Sequence, residues 1–241
     1  MKVLRLCALL LLTAASAPLY AAQTAPSALH IYDFKKLYAK LGYTPTYFNA
    51  SRDAMMALES YTDEYEEFYT EINNYLRYYP AQYDWTGTSP ADAKVYVKQI
   101  DGIIQKAPAL PADMVLFRGM DFSYRQNRPF AAGEEFSDKA YVSTSASFKV
   151  AHDFATQDTK NPQAKRTILV IYQSGTHRKG LLYNQGEDEV ILPHGSKFKA
   201  MAAAQKNGYI LYLVQWCEAT CENAAPLSAR VFWQSFSSAI H

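Results

Sequence analysis

Charge of one sign is what this chain most lacks: 24 Lys and Arg stand against 23 Asp and Glu in 241 residues, a formal net charge of +1. Without a basic excess there is no broad footprint for a phosphate backbone, so dedicated nucleic-acid binding is disfavoured, although 19 Tyr and 12 Phe offer rings that stack on bases. Low complexity is missing too. With 49% apolar residues the chain can bury enough surface to fold. No internal repeat and no domain-separating linker occur, which points to one compact domain. The common nucleotide and hydrolase signatures are also absent: no GxxxxGK[ST], no GxGxxG opening a helix after a strand, no HExxH and no GxSxG. Cysteine is scarce, and Cys7, Cys217 and Cys221 have no zinc-like spacing with His30, His152, His177, His194 or His241. No metal site is expected.

The apolar run Leu6 to Ala15 is too short to span a bilayer, which takes about 20 residues. Lys2 and Arg5 precede it and small residues continue to Ala22, the layout of a secretory signal peptide. Cleavage after Ala21 is expected, so that residues 1–21 form the leader and 22–241 a single domain. Subtracting Lys2 and Arg5 from the 24 basic residues leaves 22 against 23 acidic ones. A nearly neutral, secreted monomer follows, periplasmic before release where the cell has that compartment, with no stable membrane anchor. Export places Cys217 and Cys221 where oxidation is possible; four residues apart, they either close a small disulfide loop or remain two thiols. Asn49-Ala50-Ser51 is a glycosylation sequon if the source is eukaryotic.

The first half of the domain, about 28–108, reads as helical. Tyr61, Tyr65, Phe68, Tyr69, Ile72, Tyr75, Leu76 and Tyr79 recur at three- and four-residue steps up to Pro80, predicting one apolar helical face. Ser89 is a candidate N-cap with Pro90 at the first helical position, and Val97, Ile100, Ile103 and Ile104 supply the buried side of that helix. A shorter helix is expected over Ile31 to Leu41. From about 112 to 236 short apolar runs punctuated by turn residues predict strands: Met114 to Phe117, Tyr141 to Thr144, Thr167 to Tyr172, Val190 to Leu192, Phe198 to Met201, Tyr209 to Val214 and Ala229 to Trp233. One helix at about Lys149 to Ala155 interrupts them. Helices first and strands afterwards make an α+β domain.

Three segments carry candidate chemistry. In Leu116-Phe117-Arg118-Gly119 an arginine emerges from an apolar run beside a glycine that lets the backbone turn sharply. In Tyr141-Val142-Ser143-Thr144-Ser145 strand alternation sends Ser143 and Ser145 to one side and Thr144 to the other. In Gly186-Glu187-Asp188-Glu189 an extended chain turns Glu187 and Glu189 the same way, with Asp188 facing solvent. Three adjacent acids repel one another, a cost that a solvated turn dilutes.

Arg, then Ser-Thr-Ser, then Glu-x-Glu, in that order, resembles the R-S-ExE class of mono-ADP-ribosyltransferases. Phe136-Ser137-Asp138-Lys139-Ala140-Tyr141 before the serines, Phe154 after them, and the run from Glu189 through Pro193-His194-Gly195 to Phe198 extend the resemblance. Upstream, Tyr61-Thr62, Ile72-Asn73 and Leu76-Arg77 are similar to the family's helical half, so that it covers roughly residues 55 to 216. The resemblance implies N-terminal helices packed on a split, mostly antiparallel β-sandwich. It further implies that NAD is consumed as a substrate, without a metal, and that ADP-ribose passes to an arginine-containing target protein with release of nicotinamide.

By the same resemblance, Glu189 stabilises positive charge developing on the ribose, Glu187 orients and deprotonates the acceptor guanidinium, and Arg118 anchors the NAD phosphates or ribose. Ser143 fixes Glu189 or the cofactor, Thr144 and Ser145 support the split sheet beside it, Gly119 offers backbone to nicotinamide, and Phe148 packs on nicotinamide or in the core. Tyr183 falls one position before the acceptor-turn aromatic of several relatives, where this chain has Asn184; it either meets the acceptor or is simply a turn aromatic. Two other readings compete: an NAD glycohydrolase of the same fold with water as acceptor, and a secreted binding module whose tyrosines contact a partner.

Overall fold

A computed structural model describes residues 30–43, 49–63, 68–81, 87–120, 129–157, 166–173, 178–183, 186–206, 208–217 and 221. The expected leader, the expected strand Ala229 to Trp233, Tyr65, His177 and Asn184 lie outside these residues. Four helices come first: α1 (Phe34–Lys40), α2 (Arg52–Thr62), α3 (Phe68–Tyr78) and α4 (Pro90–Lys106). The strands that follow are β1 (Val115–Met120), β2 (Glu135–Ser137) and β3 (Val142–Ser145), then, after helix α5 (Phe148–Gln157), β4 (Thr167–Gln173), β5 (Leu181–Leu182), β6 (Glu189–Leu192), β7 (Lys197–Lys206) and β8 (Tyr209–Cys217). The α+β expectation holds.

Local chemistry sets the helix ends. Ser89 caps α4 by accepting from the Asp92 N–H at 3.2 Å, with Pro90 in the first turn as its fixed φ favours. Ser51, the hydroxyl residue of the sequon, caps α2 by accepting from Ala54 N–H. The single helix expected from the tyrosine periodicity is in fact two. The Thr62 hydroxyl bonds back to the carbonyls of Leu58 and Glu59, and Asp63 adopts extended backbone, so α2 stops there and α3 starts afresh at Phe68. Both helices press on one core, with Tyr61 and Ile72 buried in it, and a shared core preserves the apolar rhythm across the break.

The strands run in the order β2-β7-β8-β4-β1-β3-β6-β5, antiparallel throughout except for the parallel pair β4 and β8. Alternation along β1 and β4 divides the core. Leu116, Leu169 and Ile171 face the helices α1 to α4, whereas Val115, Phe117, Ile168 and Val170 pack against α5 and the far face of β7 and β8. Only one pair, Phe117 with Ser145, joins β1 to β3. There the sheet is nearly split into a five-strand and a three-strand part. At the end of β8, Cys217 and Cys221 are joined as a disulfide. Among the described residues no helix is long and apolar enough to cross a membrane.

Candidate functional site

Beyond the Phe117 and Ser145 pair, β1 and β3 part, and a cleft of about 380 Å³ opens between the sheet, α3 and α5. Arg118, Ser143, Glu187 and Glu189 all line it. Arg118 bridges the split by donating from Nη1 to the Ser143 carbonyl at 2.8 Å, one of the five N–H donors a guanidinium carries.

Glu189 begins β6, opposite Ser145 in register, and is 6% exposed. The Ser143 hydroxyl donates to its Oε1 at 2.6 Å, while Oε2 is buried without a hydrogen-bond partner among the described residues. Burial pushes the Glu189 carboxyl up to about 7; the Ser143 hydrogen bond opposes that rise, Glu187 adds to it and Arg118 opposes it. A buried carboxylate oxygen without a partner is costly, and here it belongs to a residue on the wall of an open cleft. A ligand hydroxyl would offset that cost.

Ser145 and Thr144 hold the neighbouring backbone. The Ser145 hydroxyl donates to the Glu187 carbonyl at 2.7 Å and accepts from the Ser147 N–H at 2.9 Å, tying the turn that bears Glu187 to the start of α5. Thr144, 4% exposed, donates to the Val190 carbonyl at 2.5 Å. Glu187 reaches the cleft from a turn rather than from an extended strand, because Asp188 takes left-handed backbone with φ 48°. Asp188 does not simply face solvent. It is half-buried near Asp33 and Lys35, and burial, helped by Asp33, holds its carboxyl above the usual range.

Gly119 keeps its place at the cleft for a different physical reason, and Phe148 takes the core position of its two alternatives. Gly119 makes no sharp turn: it lies within β1, paired with Ile168, and also lines the cleft. A Cβ there would sit 1.9 Å from the Ala151 carbonyl oxygen, so glycine is what lets α5 lie directly on the strand. Phe148 is not among the residues lining the cleft; it packs edge-on against Phe117, with ring centroids 5.6 Å apart, in the core under α5. Phe154, about 240° further round the helix at 100° per residue, lines the cleft instead and is 48% exposed. Tyr183 is half-buried beside Thr62 and Glu59 at the end of α2, and its N–H donates to the Glu189 carbonyl at 3.0 Å.

Arg77 received no role from the sequence beyond its place in the helical half. Tyr69, Asn73 and Arg77, four residues apart along α3, all line the cleft. That polar stripe within a tyrosine-rich helix is the signal that could have found them. Arg77 makes a paired contact with Asp138, Nε to Oδ1 at 3.0 Å and Nη2 to Oδ2 at 2.8 Å. Burial lowers the guanidinium's pKa, but Asp138 outweighs it and the net shift is upward. Asp138 is itself fixed, since its Oδ1 also accepts from Ala140 N–H and its own N–H donates to the Ser196 carbonyl.

Residues 33–215 match the family described as ADP-ribosyltransferase exoenzyme. Similar solved structures include the ADP-ribosyltransferase Vis of Vibrio splendidus in complex with agmatine, at 20% identity and TM-score 0.61 over 80% of this chain and 86% of that one. The Clostridium limosum C3 exoenzyme is 22% identical with TM-score 0.59, covering 80% and 98%. The toxin BECa of C. perfringens, solved with NADH, is 16% identical with TM-score 0.55, covering 76% of this chain and 46% of that one. No curated protein sequence matches.

Proposed function

The chain belongs to the ADP-ribosyltransferase exoenzyme family, and from that premise we propose that it is exported and transfers ADP-ribose from NAD to an arginine side chain of a target protein. The observation that carries the reading is the pairing of Glu189, whose Oε2 is buried without a hydrogen-bond partner among the described residues, with Glu187 on the wall of one cleft. Arg118 supplies a positive charge lining the same cleft, which suits a pyrophosphate. Support for the substrates comes from BECa, solved with NADH, and from Vis, solved with agmatine, a guanidinium compound.

The reaction follows from these groups. The bond between the nicotinamide nitrogen and ribose C1′ breaks with its electron pair leaving on nicotinamide, and positive charge spreads over C1′ and the ring oxygen. The ionised Glu189 carboxylate holds a ribose hydroxyl and stabilises that charge. Glu187 accepts a proton from the target guanidinium, which is a poor nucleophile while charged, and its nitrogen then bonds to C1′. Nicotinamide and one proton are released. Incubation of the protein with radiolabelled NAD and agmatine tests the reading: labelled agmatine is expected with the native sequence and not with Glu189→Ala. Equal labelling by both, or by neither, overturns it.

A further inference from the structure

One cluster outside the chemistry bears on it. Tyr141 immediately precedes β3, and His194 follows β6 by two residues. Their strands are paired next to them through Val142 with Leu192, and one step further through Ser143 with Ile191. Both side chains converge on Asp101 of α4. The Tyr141 hydroxyl lies 2.8 Å from Asp101 Oδ1 and 3.0 Å from the Val97 carbonyl, and His194 Nε2 lies 3.1 Å from Asp101 Oδ2. The Tyr141 ring, 1% exposed, stands edge-on to His194 at 5.4 Å and to Tyr61 at 5.4 Å, and both tyrosines line the cleft.

We infer that Asp101 is a positioning residue: through Tyr141 and His194 it holds the paired ends of β3 and β6 to α4, and thereby fixes the hydrogen bond of Ser143 to Glu189 in the cleft. A carboxylate suits the task because its two oxygens each take one donor, so a single side chain ties both strands to the helix. The charged and titratable groups facing His194 are Asp101 from α4 and Tyr141 from the start of β3, with Tyr61 of α2 beyond. The Asp101 hydrogen bond raises the imidazole pKa against the opposing effect of burial. The charged pair is therefore complete at acid pH and is lost as pH rises through that raised value.

The effect on turnover rests on the function proposed above, so the test has one readout that needs no turnover. By NMR, Asp101→Asn is expected to lower the His194 titration, and Asp101→Ala to move the Glu189 carboxyl titration upward as its Ser143 bond slackens. In NAD cleavage, Asp101→Ala is expected to lower kcat about ten-fold while KM for NAD changes less than about two-fold. Asp101→Asn restores kcat to within about two-fold at about pH 9, where imidazole is neutral, but not at about pH 5. If Asp101→Ala does not fold, Asp101→Asn and His194→Gln carry the same comparison. An unmoved Glu189 titration with unchanged kcat overturns the inference, as does a loss that Asp101→Asn fails to rescue at either pH. Absence of NAD cleavage by the native sequence would sink the proposed function while the two titrations still decide the clamp.

Discussion

The Ser143 hydroxyl and the Glu189 carboxylate meet at 2.6 Å across β3 and β6, and that bond opposes the rise that burial imposes on the acid. In the reaction proposed above Glu189 is ionised to stabilise charge on a ribose, and the proposed task of Ser143 is to keep the carboxylate available near neutral pH. Ser143→Ala is expected to move the acid limb of the kcat/KM profile, which reports the free enzyme, upward from about 7 and to cut kcat/KM at neutral pH by about ten-fold. A pH series of NAD cleavage measures both; an unmoved acid limb would show that the serine serves the fold alone.

The same acid should weaken the fold it sits in. Its ordinary value is 4.5 and its value in the cleft about 7. Between those two pH values the folded state keeps a proton that the unfolded chain has given up, so stability falls as pH rises through that window, by about 3 kcal/mol in all. Glu189→Gln carries no charge and keeps an acceptor for Ser143. Calorimetry is expected to find it several degrees more stable than the native protein at pH 8 and no more stable at pH 4, while NAD cleavage is lost.

Much of this arrangement was legible where local chemistry decides the outcome. Ser89 with Pro90 announced the start of α4, and the apolar runs of β4 and β8 announced strands, which the structure buries on both faces. The Arg, Ser-Thr-Ser and Glu-x-Glu segments named four residues that share one cleft. Features that long-range packing decides were hidden. β7 runs on through Ala202, Ala203 and Ala204, which carry no strand signal of their own, and β2 and β5 are too short to show a period. The partner that fixes Arg77 is 61 residues away. The choice between Phe148 and Phe154 depends on how α5 is rotated over β1, which no spacing along the chain reveals.

Glu187 separates the two fates of NAD. Its proposed task is to orient and deprotonate a guanidinium, which a water molecule does not require in the same geometry. Glu187→Gln is expected to reduce transfer to agmatine by about a hundred-fold while NAD hydrolysis stays within a few-fold of the native rate. Quantifying labelled agmatine and free ADP-ribose in one reaction gives both numbers. Equal loss of the two products would place Glu187 in cleavage itself rather than in acceptor handling.

Gly119 tests whether the cleft is shaped by close packing. The Ala151 carbonyl oxygen would lie 1.9 Å, and the Ala155 nitrogen 2.8 Å, from a Cβ at this position. Both atoms are helix backbone and cannot rotate aside, so even alanine must push α5 off β1. The expected cost is about 1–3 kcal/mol, the range of overpacking in a closed core. Phe154 and Ala151 of α5 line the same cleft as Arg118 and Gly119, so the displacement also reshapes the proposed NAD site. Gly119→Ala is therefore expected to lower the unfolding temperature and to raise KM for NAD more than it lowers kcat. Unchanged stability together with unchanged KM would mean that α5 is free to move away from the strand.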